Sequence, residues 1–361
     1  MFELNKLVRE NVLRLTPYSC ARDEFEGTYG IFMDANENPY GTLNRYPDPY
    51  QKELKKRISE VKSIPFRNIF LGNGSDEIID LCFRIFCNPG SDKAMIFPPT
   101  YGMYEVSAAV NDIHVIKVPL TSGFRIDLKS AEKYLHDDKL KLIFICSPNN
   151  PTGNVMDSHD VGYLIKNFHG IVVIDEAYSD FSTEQSFAKL VNRYGNLVVM
   201  QTFSKALGLA AARVGMAFTS PEIVSLFNKI KPPYNISTIN QKAALARLDQ
   251  AEETSLLVRE IIDERERMRD EIGKFGFVEK IFPSDANFLL MKVNNANDLY
   301  QYLVSRNIII RNRSSVIENC IRITVGKKSE NEELIKELKG YTELHRGPGE
   351  CPSESPQMGG L

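Results

Sequence analysis

A lysine that directly follows a β-strand pattern is the first residue of this sequence whose type and position suggest chemistry. Apolar residues predict a strand at 197–202. The segment Thr202-Phe203-Ser204-Lys205 follows it and supplies two hydroxyls and an amine. A neutral lysine amine can attack a carbonyl carbon, so Lys205 could carry a carbonyl compound. Thr202, Ser204 and Arg213, eight residues beyond Lys205, could hold a phosphate, because a guanidinium donates two parallel hydrogen bonds to one anion. Taken alone, this segment more simply indicates a surface lysine after a strand.

A carboxylate ends a second apolar strand pattern. Residues 171–174 are apolar, Asp175 follows them, and Tyr178 lies three residues further on. Ligands bind at the carboxyl ends of strands in open α/β sheets, so Asp175 is expected at such a site. An acid there could keep a pyridine nitrogen protonated, which makes the ring an electron sink. The alternative is a helix N-cap, a position that aspartate also favours.

Three further loops carry groups that could bind a flat, phosphorylated ligand. Residues 148–153 hold the amide of Asn150 between prolines, although Pro, Asn and Gly are also turn formers. Glycines open a helix at Gly74–Asp76, where backbone N–H groups attract an anion, and Asp76 would have to point away from it. Tyr101, after two prolines, could stack on a flat ring, although such a tyrosine is more often a core residue. Each loop alone is a weak signal.

These loops follow strands of one predicted sheet. Near-continuous apolar strands that alternate with helices predict an α/β fold, with a mostly parallel mixed sheet covered by helices on both faces. The predicted strands are 93–97, 113–118, 142–146, 171–175 and 197–202, with helices at 128–135 and 159–167. Because the carboxyl ends of parallel strands share one edge, the loops after them are expected to meet.

The pattern changes after about Pro232, which predicts a second domain. Apolar residues spaced on one helical face predict a long connector helix at about 252–275, and Gly276 is expected to end it. Strands near 287–293, 308–310 and 321–325, and helices at 296–305 and 331–338, then predict a smaller α+β domain. The predicted organisation is an N-terminal arm that packs with the small domain (1–40), a large cofactor domain (41–240), a small domain (241–342) and a disordered tail (343–361).

Composition excludes several classes of protein. The chain has 361 residues and a net charge of −3. Binding to nucleic acid would need an excess of basic residues, so the composition does not predict a nucleic acid as partner. No apolar segment approaches the roughly 20 residues of a membrane helix, and the expected location is the cytoplasm. Six scattered cysteines without a CxxC pair, and five isolated histidines, predict no metal site.

Taken together, these segments resemble the fold-type I pyridoxal-phosphate aminotransferases and, within them, the histidinol-phosphate aminotransferase subfamily. The Ser-Lys pair with its arginine, Asp-x-x-Tyr, Asn-Pro-Thr-Gly and the glycine loop occur in the family's order, from about Leu15 to Gly326. The resemblance implies a transaminase with a large and a small domain, pyridoxal 5'-phosphate as its cofactor, and a homodimer with shared active sites.

The resemblance also implies a role for each residue of the cofactor site. Lys205 would carry the cofactor and serve as the base, Asp175 would pair with the ring nitrogen, and Tyr101 would stack on the ring. Tyr178 and Asn150 would bond the ring hydroxyl. The remaining implied cofactor contacts are Gly74, Ser75, Asp76, Ser204 and Arg213, with Thr202 as a possible addition and Tyr46 reaching the phosphate of the neighbouring subunit.

Two terminal regions resemble the subfamily's substrate segments. The likeness implies that Tyr18, Asn36, Arg311 and Arg322 contact the substrates, which are small molecules: a phosphorylated amino alcohol, and glutamate or 2-oxoglutarate. The same arginines would bind the carboxylate of one substrate and the phosphate of the other in turn, through charge-assisted bonds of roughly 1.5–3 kcal/mol each. The segment 312–315 departs from the family's pattern because it is more polar than in many relatives.

Alternatives remain open within and outside this fold. An aromatic-amino-acid aminotransferase or a phosphothreonine decarboxylase would keep the Lys205 machinery and differ around Tyr18, Asn36 and the arginines. A cofactor-binding domain of a transcription regulator would need a DNA-binding domain ahead of it. Only about 33 residues precede Asp34, which disfavours that class.

Overall fold

The computed structural model describes residues 3–20 and 30–345, which form two compact units. The large unit contains the described residues up to Glu260 and residues 283–287, and the small unit contains 261–282 and 288–345. The division falls inside the predicted connector helix, whereas the sequence predicted it near residue 240. Of the predicted tail, residues 343–345 continue the last helix or cap it, and 346–361 lie outside the described residues.

A seven-stranded sheet is the centre of the large unit. Its strands are β1 (Ile69–Asn73), β2 (Lys93–Ile96), β3 (His114–Lys117), β4 (Leu140–Cys146), β5 (Ile171–Asp175), β6 (Leu197–Thr202) and β7 (Val214–Phe218), in the order β1-β7-β6-β5-β4-β2-β3. Strand β7 runs antiparallel to both its neighbours, and the other pairs are parallel. The predicted mostly parallel sheet is therefore confirmed, and β1 and β7 are additional to the predicted strands.

Alternation along the strands builds a core on each face of this sheet. In β5, Val172 and Ile174 belong to one buried cluster, and Ile171 and Val173 belong to the other, because successive side chains of a strand point to opposite faces. The helices that cover the faces are α1 (Glu10–Arg14), α2 (Lys52–Lys62), α3 (Ser75–Phe86), α4 (Met103–Val110), α5 (Leu128–Glu132), α6 (Ser158–Asn167), α7 (Pro221–Ile230), α8 (Thr238–Asp249) and the start of α9 (Ala251–Ile272). The predicted covering of both faces is observed.

The start of the chain packs on the large unit. Val8 and Val12 are buried in a core cluster with Phe70 and Ile85. The N–H of Arg9 donates to the carbonyl of Ile85 at 2.9 Å, which fixes this segment against the end of α3. Their apolar side chains complete the large core, and the predicted packing of the N-terminal arm with the small domain stays a prediction.

The small unit is an antiparallel sheet with helices on one face. Its strands are β8 (Val278–Ile281), β9 (Phe288–Val293), β10 (Arg311–Asn312) and β11 (Cys320–Thr324), in the order β10-β11-β9-β8, and its helices are the end of α9, α10 (Ala296–Ser305) and α11 (Lys328–Leu344). Leu289, Met291, Ile321 and Ile323 line its core. Two predicted bounds are wrong. The strand predicted near 308–310 is β10 and begins at Arg311, and α9 ends at Ile272, just before Gly273, instead of near the predicted stop at Gly276.

Parallel pairing brings the ends of three strands of the large sheet to one level. Cys146 at the end of β4 lies opposite Asp175, and Asp175 lies opposite Met200 of β6. The loops that follow β4, β5 and β6 therefore leave the sheet side by side. None of the helices among residues 3–20 and 30–345 combines the length and the apolar composition that crossing a bilayer requires.

Candidate active site

The loop after β6 presents Lys205 at the carboxyl edge of the sheet. The N–H of Phe203 donates to the carbonyl of Val214 at 3.0 Å, so the loop stays attached to β7. The Lys205 Nζ lies 5.5 Å from the centre of the Tyr178 ring, which brings the predicted amine to the loop after β5. The side chain of Lys205 is exposed.

Thr202 has a structural position in this loop. Its hydroxyl is buried, accepts a hydrogen bond from the Ser204 N–H at 3.1 Å and donates to the carbonyl of Val214 at 3.4 Å. Both bonds close the turn that leads to Lys205. The geometry thus offers no support for the predicted contact of Thr202 with a phosphate.

Asp175 is a buried carboxylate held from two sides. Its Oδ2 accepts a hydrogen bond from the Tyr104 hydroxyl at 2.8 Å, and its Oδ1 accepts one from the Ala177 N–H at 3.1 Å. Burial raises the pKa of Asp175, whereas these two hydrogen bonds and the charge of Lys205 lower it. Asp175 is therefore a desolvated acid whose charged form is stabilised by a cation or a hydrogen-bond donor.

Tyr104 is the residue of this site that the sequence analysis missed. It is fully buried near the start of α4, stacks on Phe144 with ring centres 5.0 Å apart, and meets Tyr101 edge to face at 5.6 Å. Burial and the neighbouring Asp175 raise the pKa of its hydroxyl, so it is a neutral donor at physiological pH. Its position three residues after Tyr101 was the only available signal.

The loop after β4 contains two asparagines with different contacts: Asn150 lies next to Tyr178, and Asn149 holds the loop in place. The amide of Asn149 donates to the Pro99 carbonyl at 2.8 Å and to the Thr152 hydroxyl at 2.7 Å, and Asn149 is buried. Asn150 Nδ2 lies 3.4 Å from the Tyr178 hydroxyl. The two residues predicted to bond one ring hydroxyl are therefore neighbours.

The start of α3 and Arg213 lie together in one place, which we call the Arg213 corner. Gly74 has φ +76°, and no side chain caps the helix that begins at Ser75. A Cβ atom on Gly74 would lie 2.5 Å from Arg213 Nη2, so only glycine lets the guanidinium approach the helix start. Arg213 Nη1 is 3.4 Å from the Ser204 hydroxyl. Four predicted phosphate ligands are thus brought together.

Asp76 holds two of these groups in place. One oxygen lies 3.1 Å from Arg213 Nη2, and the other accepts a hydrogen bond from the Tyr101 hydroxyl at 3.1 Å. Burial and this carboxylate raise the pKa of Tyr101. The sequence analysis expected Asp76 to point away from a bound anion. In the structure it contacts Arg213 and Tyr101 instead and holds both beside the Arg213 corner.

Three predicted residues of the large unit lie in other pockets. Tyr18 is 72% exposed and lines a small pocket with Tyr50 and Lys231. Asn36 and Tyr46 line another pocket, and Tyr46, 52% exposed, stacks on Tyr234 with ring centres 4.4 Å apart. The large unit by itself does not bring Tyr18, Asn36 or Tyr46 into the Lys205 cluster.

Arg311 and Arg322 meet in the small unit. The pairing of β10 with β11 places them directly opposite one another, so both side chains leave the same face of the sheet. The Arg322 guanidinium lies 5.1 Å from the centre of the Phe288 ring. The two predicted anion-binding arginines therefore form one group.

Comparison with known proteins agrees with this arrangement. The family model described as aminotransferase class I and II matches residues 31–338, most of the chain and all of the Lys205 cluster. The chain belongs to the class I and II aminotransferase family. It is therefore an aminotransferase, and the residues around Lys205 are its candidate active site.

Relatives and solved structures extend the likeness of this aminotransferase over almost its whole length. A histidinol-phosphate aminotransferase of Cytophaga hutchinsonii is 49% identical over 94% of this chain and 99% of its own. The crystal structure of the histidinol-phosphate aminotransferase from Clostridium acetobutylicum has a TM-score of 0.77 at 26% identity, covering 84% of this chain and 92% of that one. One from Sinorhizobium meliloti, in complex with pyridoxal-5'-phosphate, shares the fold at 23% identity, with a TM-score of 0.76 and 84% of both chains covered.

Proposed function

We propose that this chain is a histidinol-phosphate aminotransferase of histidine biosynthesis that uses pyridoxal 5'-phosphate. It would convert L-histidinol phosphate and 2-oxoglutarate to imidazole acetol phosphate and L-glutamate. The observation that carries the proposal is the 49% identity to a relative of that name over nearly the full length of both chains. Phosphothreonine decarboxylation and aromatic transamination need the same cofactor and differ in the substrate contacts.

The residues of the large unit fit the proposed cofactor. Arg213, Ser204 and the uncapped start of α3 at Gly74 offer donors for its phosphate. Asp175, a desolvated acid, suits a protonated ring nitrogen. Gly215 supports the same corner, because a Cβ atom there would lie 2.4 Å from the Ser75 nitrogen and displace the helix start.

The roles of the side chains follow from these positions. Bound pyridoxal phosphate supplies an aldehyde for the amino group and a ring that delocalises electrons. Lys205 would hold the cofactor through its amine. Once freed, the Lys205 Nζ would take the α-proton of the substrate and deliver it to the cofactor carbon bonded to the reacting nitrogen. Asp175 would keep a positive charge at the ring nitrogen, and Tyr178 and Asn150 would orient the ring hydroxyl.

The proposed substrate contacts are those that the family resemblance implies, and each is described within its own unit. Arg311 and Arg322 offer two guanidinium groups to the anionic end of either substrate. For Tyr18, Asn36 and Tyr46 we retain the roles that the family resemblance implies. A homodimer is supported by large apolar side chains exposed around the Tyr46 pocket, among them Leu43 and Ile239, 63% and 56% exposed.

Replacing Tyr104 with phenylalanine is expected to weaken cofactor binding about 10- to 100-fold, because the bond to a charged acceptor is worth roughly 1.5–3 kcal/mol. The bond lowers the pKa of Asp175, so its loss raises that pKa further. In the variant, Asp175 is therefore protonated at a higher pH than in the wild type. The acidic pH range in which cofactor affinity falls, its acid limb, moves to higher pH. Titrating the apoprotein with cofactor across pH measures both effects. Tyr194→Phe is the control, and an unmoved acid limb would show that Tyr104 only packs.

The substrate is tested with the purified protein and bound cofactor. L-histidinol phosphate is added in the absence of 2-oxoglutarate, and the absorption spectrum of the cofactor is followed in a single half-reaction. We expect conversion to the amine form, reversed by 2-oxoglutarate, and at least about 100-fold slower conversion by phenylalanine or phosphothreonine, since each lacks part of the matching charge or ring. Faster conversion by phenylalanine, or carbon dioxide release from phosphothreonine, would overturn the proposal.

A further inference from the structure

A third arginine lies beside the two that were predicted to bind substrate. The N–H of Arg313 donates to the carbonyl of Cys320 at 2.8 Å, which extends the β10–β11 ladder by one residue beyond Asn312. Residues two apart on a strand point to the same face, so Arg313 follows Arg311 on the face that Arg322 shares. The hairpin thus carries three guanidinium groups on one side.

This cluster is electrostatically unfavourable without an anion. Like charges on facing strands destabilise a sheet. Burial lowers the pKa of Arg313, and the charges of Arg322 and Arg311 lower it further. The buried Nε of Arg313 has no hydrogen-bond partner, and within residues 3–20 and 30–345 neither Arg311 nor Arg313 forms a salt bridge. A negatively charged ligand would satisfy these donors.

The turn that follows Arg313 makes its position rigid. The Val316 N–H donates to the Arg313 carbonyl at 2.8 Å, and the Ser314 N–H donates to Asn312 Oδ1 at 2.9 Å. The Asn312 amide in turn donates to Asn297 of α10 at 2.7 Å. Ser314 adds a buried hydroxyl without a partner. The segment that departs from the family's pattern is therefore an ordered hairpin with two unsatisfied donors.

We propose that Arg313 is a specificity-determining residue, which completes with Arg311 and Arg322 a subsite for a phosphomonoester dianion. The inference rests on the proposed function and adds that the three arginines contribute differently to the two substrates. A carboxylate carries one charge and is bound by one guanidinium fork. A phosphomonoester carries a charge of about −1.5 to −2 and three terminal oxygens, so it engages a further guanidinium. Arg313 serves the phosphorylated substrate, whereas glutamate requires it little.

The test is Arg313→Gln in the holoenzyme, with each half-reaction measured alone. Loss of one charge-assisted bond corresponds to about 10- to 100-fold, so the half-saturating concentration of L-histidinol phosphate is expected to rise by that factor. That of glutamate should change less than about threefold. Inorganic phosphate is the second probe: it should raise the unfolding temperature of the wild type and inhibit it competitively, and both effects should weaken in the variant.

Two variants separate recognition from folding and from net charge. Arg313→Lys keeps the charge without the fork and should recover part of the affinity for histidinol phosphate. Arg306→Gln removes a charge elsewhere in the small unit, where Arg306 lies 3.6 Å from Glu337, and should leave both half-reactions unchanged. Equal weakening of both substrates by Arg313→Gln, or no weakening of either, would overturn the inference.

Failure of the proposed function would look different. If the wild type did not convert histidinol phosphate but bound inorganic phosphate through Arg313, the subsite would stand and the named substrate would be wrong. If the wild type converted histidinol phosphate and Arg313→Gln bound inorganic phosphate as well as the wild type did, the subsite would be wrong.

Discussion

Lys205→Ala is expected to lower transamination by at least about 10⁴-fold. A positioned general base alone contributes about 10²–10⁴-fold, and the variant also loses the amine that holds the cofactor covalently. The lysine lies at the sheet edge with its Nζ 5.5 Å from the Tyr178 ring, and the charge of Lys205 acts on Asp175, so no other lysine is expected to replace it. The measurement is the rate of each half-reaction with saturating cofactor, together with the absorption spectrum of the bound cofactor.

The matched control is Lys166→Ala, which removes an exposed lysine from α6. It should keep wild-type rates and the wild-type spectrum. Added methylamine should restore part of the Lys205→Ala rate, because a small free amine can take over the proton transfer. Wild-type turnover by Lys205→Ala with bound cofactor would refute the assignment of the site.

Asp175→Asn is expected to lower turnover by about 10²–10³-fold, the usual effect of removing one electrostatic group that stabilises developing charge. Asparagine keeps the shape, and its one oxygen can still accept the hydrogen bond from Tyr104, whereas its NH2 group cannot accept the one from the Ala177 N–H. The loss therefore reports the charge together with that single backbone hydrogen bond. The measurement is kcat for the half-reaction with histidinol phosphate, and the cofactor dissociation constant from pH 5 to pH 9.

The pH dependence of this variant has a definite sign. Burial raises the pKa of Asp175. As the pH falls, the wild type therefore protonates this carboxylate, and loses cofactor affinity, at a higher pH than it would with an exposed aspartate. The asparagine variant lacks this acid limb. Glu176→Gln is the control, because this neighbouring buried acid bonds Phe187 and Gln201 instead. Equal losses in both variants would argue against a specific role of Asp175.

The amino-acid sequence by itself determined the strands that position the site. The bounds of β5 and β6 match the predicted 171–175 and 197–202, because both strands are buried on two faces and so are apolar except at their carboxyl ends. The order of Lys205, Arg213, Asp175 and Asn150 follows from local motifs of a few residues. β1 and β7 escaped prediction, since Gly72 and Gly215 interrupt their apolar patterns where the chain passes the start of α3.

Only the tertiary structure decided which groups act on one another. Tyr104 and Asp175 are 71 residues apart, and Asp76 and Arg213 are 137 apart, so no local pattern could pair them. The third arginine of the small unit became visible only through the register of β10 with β11. Local patterns determine helices and strands because those depend on neighbouring residues, whereas hydrogen bonds and charge clusters depend on packing between segments far apart in the chain.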